Sequence, residues 1–166
     1  LGNVADDRPH RWHPSTDGTG ARSHCLTPRR FRAISGARGY NNGMDEIAAI
    51  ATQLGTGAVG SIRISGEKAR DIVARIFKPY KIENFSKATP YMMYLGKLDC
   101  GGVRDKALAV LFAAPNSYTG EDVAELHCHG GAALLRHVLE GVCAAGARIA
   151  DRGEFTRRAV LNGKMD

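Results

Sequence analysis

The stretch that decides the fold is PNSYTGEDVAELHCHGG, residues 115–131. Small polar residues and glycine at 115–122 are typical of a turn, and the paired glycines at 130–131 mark the start of a helix. Between them, residues 123–128 alternate as a strand that has one apolar and one half-polar face, with Glu125 and His127 on the half-polar face. Since binding residues concentrate at such strand ends and loops, this junction is predicted to carry the site.

Upstream of this stretch, two segments read as strands and one as a helix. Residues 47–52 form a short apolar run, and residues 59–65 alternate so that Arg63 points away from the apolar face. Residues 67–77 carry apolar side chains at helical spacing, which predicts an amphipathic helix whose apolar stripe is core. Ser65 is placed to cap this helix.

The remaining elements complete a mixed sheet. Residues 91–98 and 107–113 are predicted strands joined through a glycine hairpin at 99–102, and the second is apolar enough to be central. A helix at 131–145 ends at Gly146, a short strand follows at 147–150, and a last helix at 154–161 stops at Asn162 and Gly163. The predicted class is α/β (α+β), with five to six strands and two to three packed helices.

The charge of the chain is concentrated at its start. The 166 residues carry a net charge of +6, and residues 1–43 hold seven Arg against three Asp. A basic segment without interleaved aromatic residues is typical of a solvated arm rather than a nucleic-acid site. Because residues 1–43 also lack apolar periodicity, they are predicted to be a disordered basic extension of a single domain.

Met44 opens a segment of different character, and two interpretations of residues 1–43 remain. The favoured one is an added or mis-started stretch before the natural start. The other is an organellar targeting peptide, against which stand Asp6, Asp7, Asp17 and the missing amphipathic period.

Cysteine usage and hydropathy favour a soluble cytoplasmic protein that is not bound to a membrane. Cys25, Cys100, Cys128 and Cys143 show neither CxxC spacing nor a disulfide-dense frame, which fits a reducing compartment. No run of about eighteen apolar residues that could span a membrane occurs.

A glycine motif at residues 55–60, GTGAVG, matches the GxGxxG of dinucleotide sites. In those sites the loop must open a helix, whose amides hold the pyrophosphate. Here an alternating strand follows the loop. The glycines are therefore interpreted as a flexible hairpin that lets backbone approach something closely.

The histidines flanking Cys128 invite a metal or nucleophile interpretation. His127 and His129 share a face, but no third and fourth ligand lie at a recognisable spacing, so no metal site is predicted. Cys128 falls on the apolar side, where a thiol behaves as a small hydrophobe. A strand end at a ligand cleft is the preferred interpretation.

Arg63 and Glu125 each occupy the polar face of a strand. If the strands are neighbours, the pair is either a cross-strand ion pair contributing under about 1 kcal/mol or the wall of a ligand cleft. A cleft with one cation and one carboxylate suits a ligand with an anionic or carbonyl end and an edge of N–H donors. The spacing alone does not decide between the two.

Four motifs carry a family resemblance. VGSIRISG (59–66), APNSYTGED (114–122), HGG (129–131) and GEFTRRAVLNGKMD (153–166) closely resemble the N-terminal domain of the MnmE/TrmE family of tRNA modification GTPases, in collinear order over residues 44–166. The resemblance implies a domain at 44–163, with residues 164–166 as the start of a helical domain.

What the resemblance implies is a homodimer that binds a tetrahydrofolate one-carbon donor, usually the 5-formyl form. With a flavin- and NADH-dependent partner, MnmG (GidA), such proteins install an aminomethyl-type group on the wobble uridine of certain tRNAs. The family's folate-contacting residues correspond to Arg63, Glu125 and Lys164. We expect Arg63 and Lys164 to meet anionic and carbonyl groups and Glu125 to accept from the pterin N–H edge. The glycines at 130–131 are read as room for folate or for the adjacent helix start.

Two departures from the family limit what the chain is expected to do. Residues 53–58 read QLGTGA where the family usually carries Pro-Pro-Gly-Arg/Ser-Gly-Gly. No GxxxxGK[ST] phosphate loop and no C-terminal Cys motif occur in the sequence. The binding of GTP, Mg and K is therefore assigned to an absent GTPase domain. No catalytic residue is assigned, and this chain is expected not to hydrolyse GTP alone. The alternatives are a free-standing folate-binding or dimerisation module and a tRNA-binding protein acting through its basic tail.

Overall fold

The fold was analysed in a computed structural model that describes residues 45–53, 55 and 57–165. The predicted disordered extension at 1–43, the proposed start at Met44, two of the loop departures (Leu54 and Thr56) and the terminal Asp166 lie outside the described residues.

Among the described residues, seven strands form one mixed sheet: β1 (Ile47–Ile50), β2 (Val59–Ser65), β3 (Phe77–Pro79), β4 (Met93–Cys100), β5 (Val103–Phe112), β6 (Val123–His129) and β7 (Arg148–Ile149). Their order in the sheet is β3-β4-β5-β6-β2-β1-β7. All neighbouring strands are antiparallel except β1 and β7, which are parallel. The predicted mixed α/β sheet is confirmed, with one more strand than the upper estimate.

In the part of the chain that the structure describes, three α-helices accompany the sheet: α1 (Ala69–Ile76), α2 (Ala132–Ala144) and α3 (Glu154–Leu161). A short 3-10 helix spans Phe85–Lys87. Apolar residues of α1 and α2 join those of the central strands in one core, represented by Ile62, Leu126, Val73, Leu135 and Val138. Since α1 and α2 both contribute to this core, the face of β2 that carries Arg63 is turned away from them.

The hairpin between β4 and β5 forms as the sequence predicts. Gly101 and Gly102 make a two-residue turn with φ of +59° and +99°. Positive φ at both central residues is the geometry that matches strand twist, and glycine adopts it without steric cost. The apolar strand β5 lies inside the sheet, as expected.

Strand β3 is absent from the prediction, which extended the helix to residue 77. The helix instead ends at Ile76, and Phe77 is extended at φ −126°, ψ 125°. Pro79 disfavours a helical conformation at Lys78, so the chain leaves the helix and pairs with β4.

The predicted cap of α1 by Ser65 is wrong. The helix begins only at Ala69, with Lys68 at its N-cap and no side-chain cap, while Ser65 still belongs to β2. The Ser65 hydroxyl is fully buried and hydrogen-bonds to Thr119 (2.6 Å) and Glu121 (2.7 Å). Ser65 therefore joins the strand to the 115–122 loop instead of capping the helix.

Within the described part of the chain, no helix has the length and apolar character needed to cross a membrane.

Candidate functional site

Strands β2 and β6 place Arg63 directly opposite Glu125. The two residues are register partners, and the Arg63 Nε donates to Glu125 Oε1 at 2.8 Å. Their side chains are 30% and 13% exposed, so the pair is partly desolvated at the surface of the sheet. The condition that the sequence left open, that the two strands are neighbours, is met, and the ion pair forms.

The second oxygen of Glu125 faces a histidine. His127 Nε2 lies 3.2 Å from Glu125 Oε2. The hydrogen bond from His127 lowers the pKa of the Glu125 carboxyl below its usual range; burial opposes this shift, and the Arg63 hydrogen bond adds to it. Glu125 is consequently an anion at neutral pH. His127 acts as a partner of this carboxylate.

An aromatic ring completes the surroundings of Arg63. The guanidinium carbon lies 5.1 Å from the centroid of the Tyr118 ring, and the Tyr118 hydroxyl is 3.0 Å from Thr156 Oγ1. A cation over an aromatic face is attracted by the ring quadrupole. In the described part of the chain, no hydrogen bond engages the two Nη groups of Arg63, which leaves their donors for a ligand.

Lys164 lies against Gly120 of the 115–122 loop. Its Cγ would be 3.2 Å from a Cβ built on Gly120, and its backbone N–H donates to Ala159 of α3 at 2.8 Å. Among the described residues, no hydrogen bond or ion pair joins Lys164 to Arg63 or Glu125. The loop, with Tyr118 on Arg63 and Gly120 under Lys164, connects the first predicted residue to the third.

A buried ionic network fixes this loop against α3. Arg158 Nη1 donates to both Glu121 oxygens at 3.2 and 3.1 Å, and Nη2 to Asp45 Oδ1 at 2.7 Å. Glu154 accepts from Arg148 at 2.6 and 2.8 Å and from Arg158 at 3.4 Å. Glu154 and Arg158 are buried, at 2% and 6% exposure. The network therefore sets the position of the segment that carries Lys164.

We expect the stability that Glu154 contributes to disappear in acid. The Arg148 hydrogen bonds lower the pKa of Glu154 from 4.5 to about 2. A depressed folded-state pKa means that the contribution is complete above about pH 4.5 and is lost as the pH falls towards about 2. Glu154→Gln should lower the free energy of unfolding at neutral pH. The gap, meaning the difference in this free energy between wild type and variant, should narrow as the pH falls from about 4.5 towards about 2. Urea unfolding at several pH values measures the gap; a gap that stays constant down to about pH 3 would contradict the assignment.

The remaining members of the His-Cys-His run have separate environments. His129 Nδ1 lies 2.9 Å from both oxygens of Asp105, away from His127 and its Glu125 partner. Cys128 is buried, and desolvation raises the pKa of its thiol to about 12. Such a thiol is not an activated nucleophile, as the sequence predicts. No cluster of three or more His, Cys, Asp or Glu side chains suited to a metal ion occurs among the described residues.

The glycine motif leads into a strand, which excludes the dinucleotide interpretation. β2 begins at Val59, and the Gly130 N–H donates to the Ala58 carbonyl at 3.1 Å. A Cβ on Gly130 would lie 1.8 Å from the Gly57 carbonyl oxygen. The close approach that the sequence predicts for this loop is therefore a contact between two backbone segments, one at Gly57 and the other at Gly130. The space beside Gly130 is occupied by the backbone of the loop before β2, and Gly131 is the N-cap of α2, which agrees with the alternative that these glycines make room for the helix start.

The sequence patterns did not identify three supporting residues of the site, Tyr118, Glu121 and Arg158. Tyr118 and Glu121 lie in the polar turn quoted first, and Arg158 is a cation on the last predicted helix. Their roles depend on contacts between segments far apart in the chain. A buried arginine facing three carboxylates leaves no periodic signal in the sequence.

Comparisons with known proteins bear on the family of this domain. Residues 46–164 match the family model described as the GTP-binding protein TrmE N-terminus. The chain is 48% identical over 123 residues to the tRNA modification GTPase MnmE of Nitratidesulfovibrio vulgaris, which covers 74% of the chain and 27% of that relative. It is 48% identical over 126 residues to the protein of the same name from Symbiobacterium thermophilum, covering 75% and 28%. The chain thus spans little more than a quarter of the length of these relatives.

Proposed function

The chain belongs to the family of the GTP-binding protein TrmE N-terminus, and from that premise we propose that it binds a tetrahydrofolate one-carbon donor, 5-formyltetrahydrofolate or a related form. The proposed contacts are Arg63, Glu125 and Lys164. The observation that carries the proposal is the Arg63–Glu125 pair, which keeps unused donors and acceptors beside an aromatic ring.

The donor set fits the chemistry of a folate. An ionised carboxylate offers about four lone-pair sites, and Arg63 and His127 occupy two of those on Glu125. The remaining acceptor positions suit the adjacent N–H donors of a pterin edge. The Nη groups of Arg63 and the ammonium of Lys164 suit carbonyl and carboxylate oxygens. A bound folate would supply the one-carbon unit, which the residues of this chain would orient.

We further propose that the chain forms a homodimer. Met93 and Leu95 lie on the outward side of β4 and are 52% and 51% exposed. Tyr91 and Met92, just before this strand, are equally exposed. Contiguous exposed apolar side chains on a sheet face favour association with a second copy.

For the wider activity, membership of the family supports a further proposal. In the cytoplasm, together with an MnmG/GidA-type flavoprotein, the proposed dimer serves 5-(carboxymethyl)aminomethyl modification of the tRNA wobble uridine. GTP hydrolysis, with its Mg and K, is not assigned to these 166 residues, because no GxxxxGK[ST] motif occurs in them.

Titration of 5-formyltetrahydrofolate into the 166-residue chain tests the site. Arg63→Ala and Glu125→Gln are each expected to lower affinity tenfold or more, because losing a charge-assisted hydrogen bond costs roughly 1.5–3 kcal/mol. Arg104→Ala is the matched control, since Arg104 also pairs across strands, with Asp99 at 3.2 Å, but is 84% exposed. Its affinity should equal that of the wild type.

Sedimentation velocity on the same samples reports whether the chain is a dimer with and without folate. Absence of saturable binding by a verified wild-type dimer would overturn the folate proposal. Wild-type affinity in both site variants would overturn the residue assignment while leaving folate binding in place.

A further inference from the structure

Three lysines lie in register on adjacent strands of the sheet. Lys78 of β3 pairs with Lys97 of β4, and Lys97 pairs with Lys106 of β5. We call these three residues the lysine row. Neighbouring strands are about 4.8 Å apart, so the row spans about 10 Å between its outer backbones. Like charges placed directly opposite each other on a sheet are destabilising, which makes the arrangement costly without an anion.

Nearby carboxylates do not neutralise the lysine row. Asp99 pairs with Arg104 at 3.2 Å, Asp105 with His129 at 2.9 Å, and Glu83 with Lys87. Over the described ranges, no hydrogen bond or ion pair reaches the ammonium group of any lysine of the row, and all three side chains are exposed. Three positive charges therefore remain open to solvent on one surface.

The lysine row also borders a concave surface. A cleft of about 980 Å³ is lined by the three lysines with Arg75 and Arg104, and also by the carboxylates already assigned to other partners, Glu83, Asp99 and Asp105. Lysines on edge strands commonly prevent edge-to-edge association, and Lys78 lies on the edge strand β3. Strands β4 and β5 are interior strands, so edge protection does not account for Lys97 or Lys106.

We propose that the lysine row binds the phosphate backbone of tRNA. A line of regularly spaced ammonium groups matches consecutive phosphodiester charges, and it fixes the RNA without reading its bases. The inference rests on the proposed role in tRNA modification and is independent of folate binding.

The row lies on the same face of the sheet as the Arg63–Glu125 pair. Val110 is opposite Glu125, and Lys106 lies four residues from Val110 along the continuous pairing of β5. Four strand residues correspond to about 14 Å. The row is therefore separated from the proposed one-carbon site by Met93 and Leu95 of the proposed dimer surface, and RNA held by the row would lie at the border of that surface.

Fluorescence anisotropy with labelled tRNA tests the proposal on the full 166-residue chain, so that the basic residues 1–43 are present in every sample. The test variant is Lys78→Gln/Lys97→Gln/Lys106→Gln. The control, Lys68→Gln/Arg136→Gln/Arg152→Gln, removes the same charge from exposed cations outside the row. A third variant with arginine at all three positions of the row keeps the charge.

The row variant is expected to bind tRNA about a hundredfold more weakly than the wild type at about 0.1 M salt. The slope of log K against log salt should also be shallower by about 2–3, because each phosphate contact contributes about 0.7–0.9 to that slope. The control should lose far less, and the arginine variant should bind like the wild type. Folate affinity of the row variant should be unchanged, which shows that it is folded.

Equal losses in the row variant and the control would overturn the inference, as would an unchanged salt slope. A wild type that does not bind tRNA would also overturn it and leave the folate proposal to its own titration. If polyglutamate displaced tRNA as well as unlabelled tRNA does, the row would be a site for acidic protein, and the RNA assignment would be wrong.

Discussion

Arg158→Met is expected to lower the free energy of unfolding by about 3–5 kcal/mol, the usual cost of removing one partner from a buried ion pair. The Arg158 side chain is 7% exposed and donates to carboxylates of Glu121, Asp45 and Glu154. Asp45 and Glu154 keep Arg148 as a partner, but among the described residues the Glu121 carboxylate keeps only the Ser65 hydroxyl. Most of the loss should therefore come from the uncompensated Glu121 carboxylate.

Equilibrium urea unfolding at neutral pH measures this loss. Arg152→Met, an exposed position just before α3, serves as the control and should change stability by less than about 0.5 kcal/mol. Adding Glu121→Gln to Arg158→Met should recover part of the lost stability, because it removes the orphaned charge. A loss below about 1 kcal/mol for Arg158→Met would mean that the network is solvated and contributes little.

Gly130→Ala is the second change with a large expected effect, about 1–3 kcal/mol of destabilisation from overpacking. The new methyl group would lie 1.8 Å from the Gly57 carbonyl oxygen and 3.1 Å from the Val59 nitrogen. Both neighbours are backbone atoms, so a rotamer change cannot relieve the clash. The loop before β2 must move away, and the hydrogen bond from Gly130 to Ala58 should be weakened.

Gly55→Ala is the matched control because no heavy atom lies within 4 Å of its added Cβ. Its unfolding midpoint in urea should stay within about 0.5 kcal/mol of the wild type. Equal stability of Gly130→Ala and Gly55→Ala would show that the two loops do not approach as closely as described.

Local patterns predicted most of the sheet because its strands follow simple rules. Alternation placed Arg63 and Glu125 on polar faces, and paired glycines predicted the β4–β5 turn. The backbone pairing of β2 with β6 then brought Arg63 and Glu125 together. Their proximity thus depended on topology, which alternation does not specify.

Errors arose where two local preferences competed or where the partner was distant. The apolar periodicity of α1 continued to Phe77, but Pro79 ended the helix first. Ser65 had the composition of a cap, yet its hydroxyl bonds to residues more than fifty positions away. The network around Arg158 joins Asp45 to a helix 113 residues later, a distance that no periodic pattern covers.

The attachment of α3 has a consequence for any ligand that reaches both Arg63 and Lys164. Arg63 and Glu125 stand on strands held by backbone hydrogen bonds, which acid and salt hardly affect. Lys164 follows α3, which is attached by the ion pairs of Glu154 and Arg158 and by a hydrogen bond from Asn162 to the Thr119 carbonyl. The two halves of the proposed site therefore respond differently to acid: the strands keep their pairing, whereas the attachment of α3 weakens as the pH falls from about 4.5 towards about 2 and Glu154 becomes protonated. A ligand that binds both Arg63 and Lys164 would therefore stabilise the position of α3 relative to the strands.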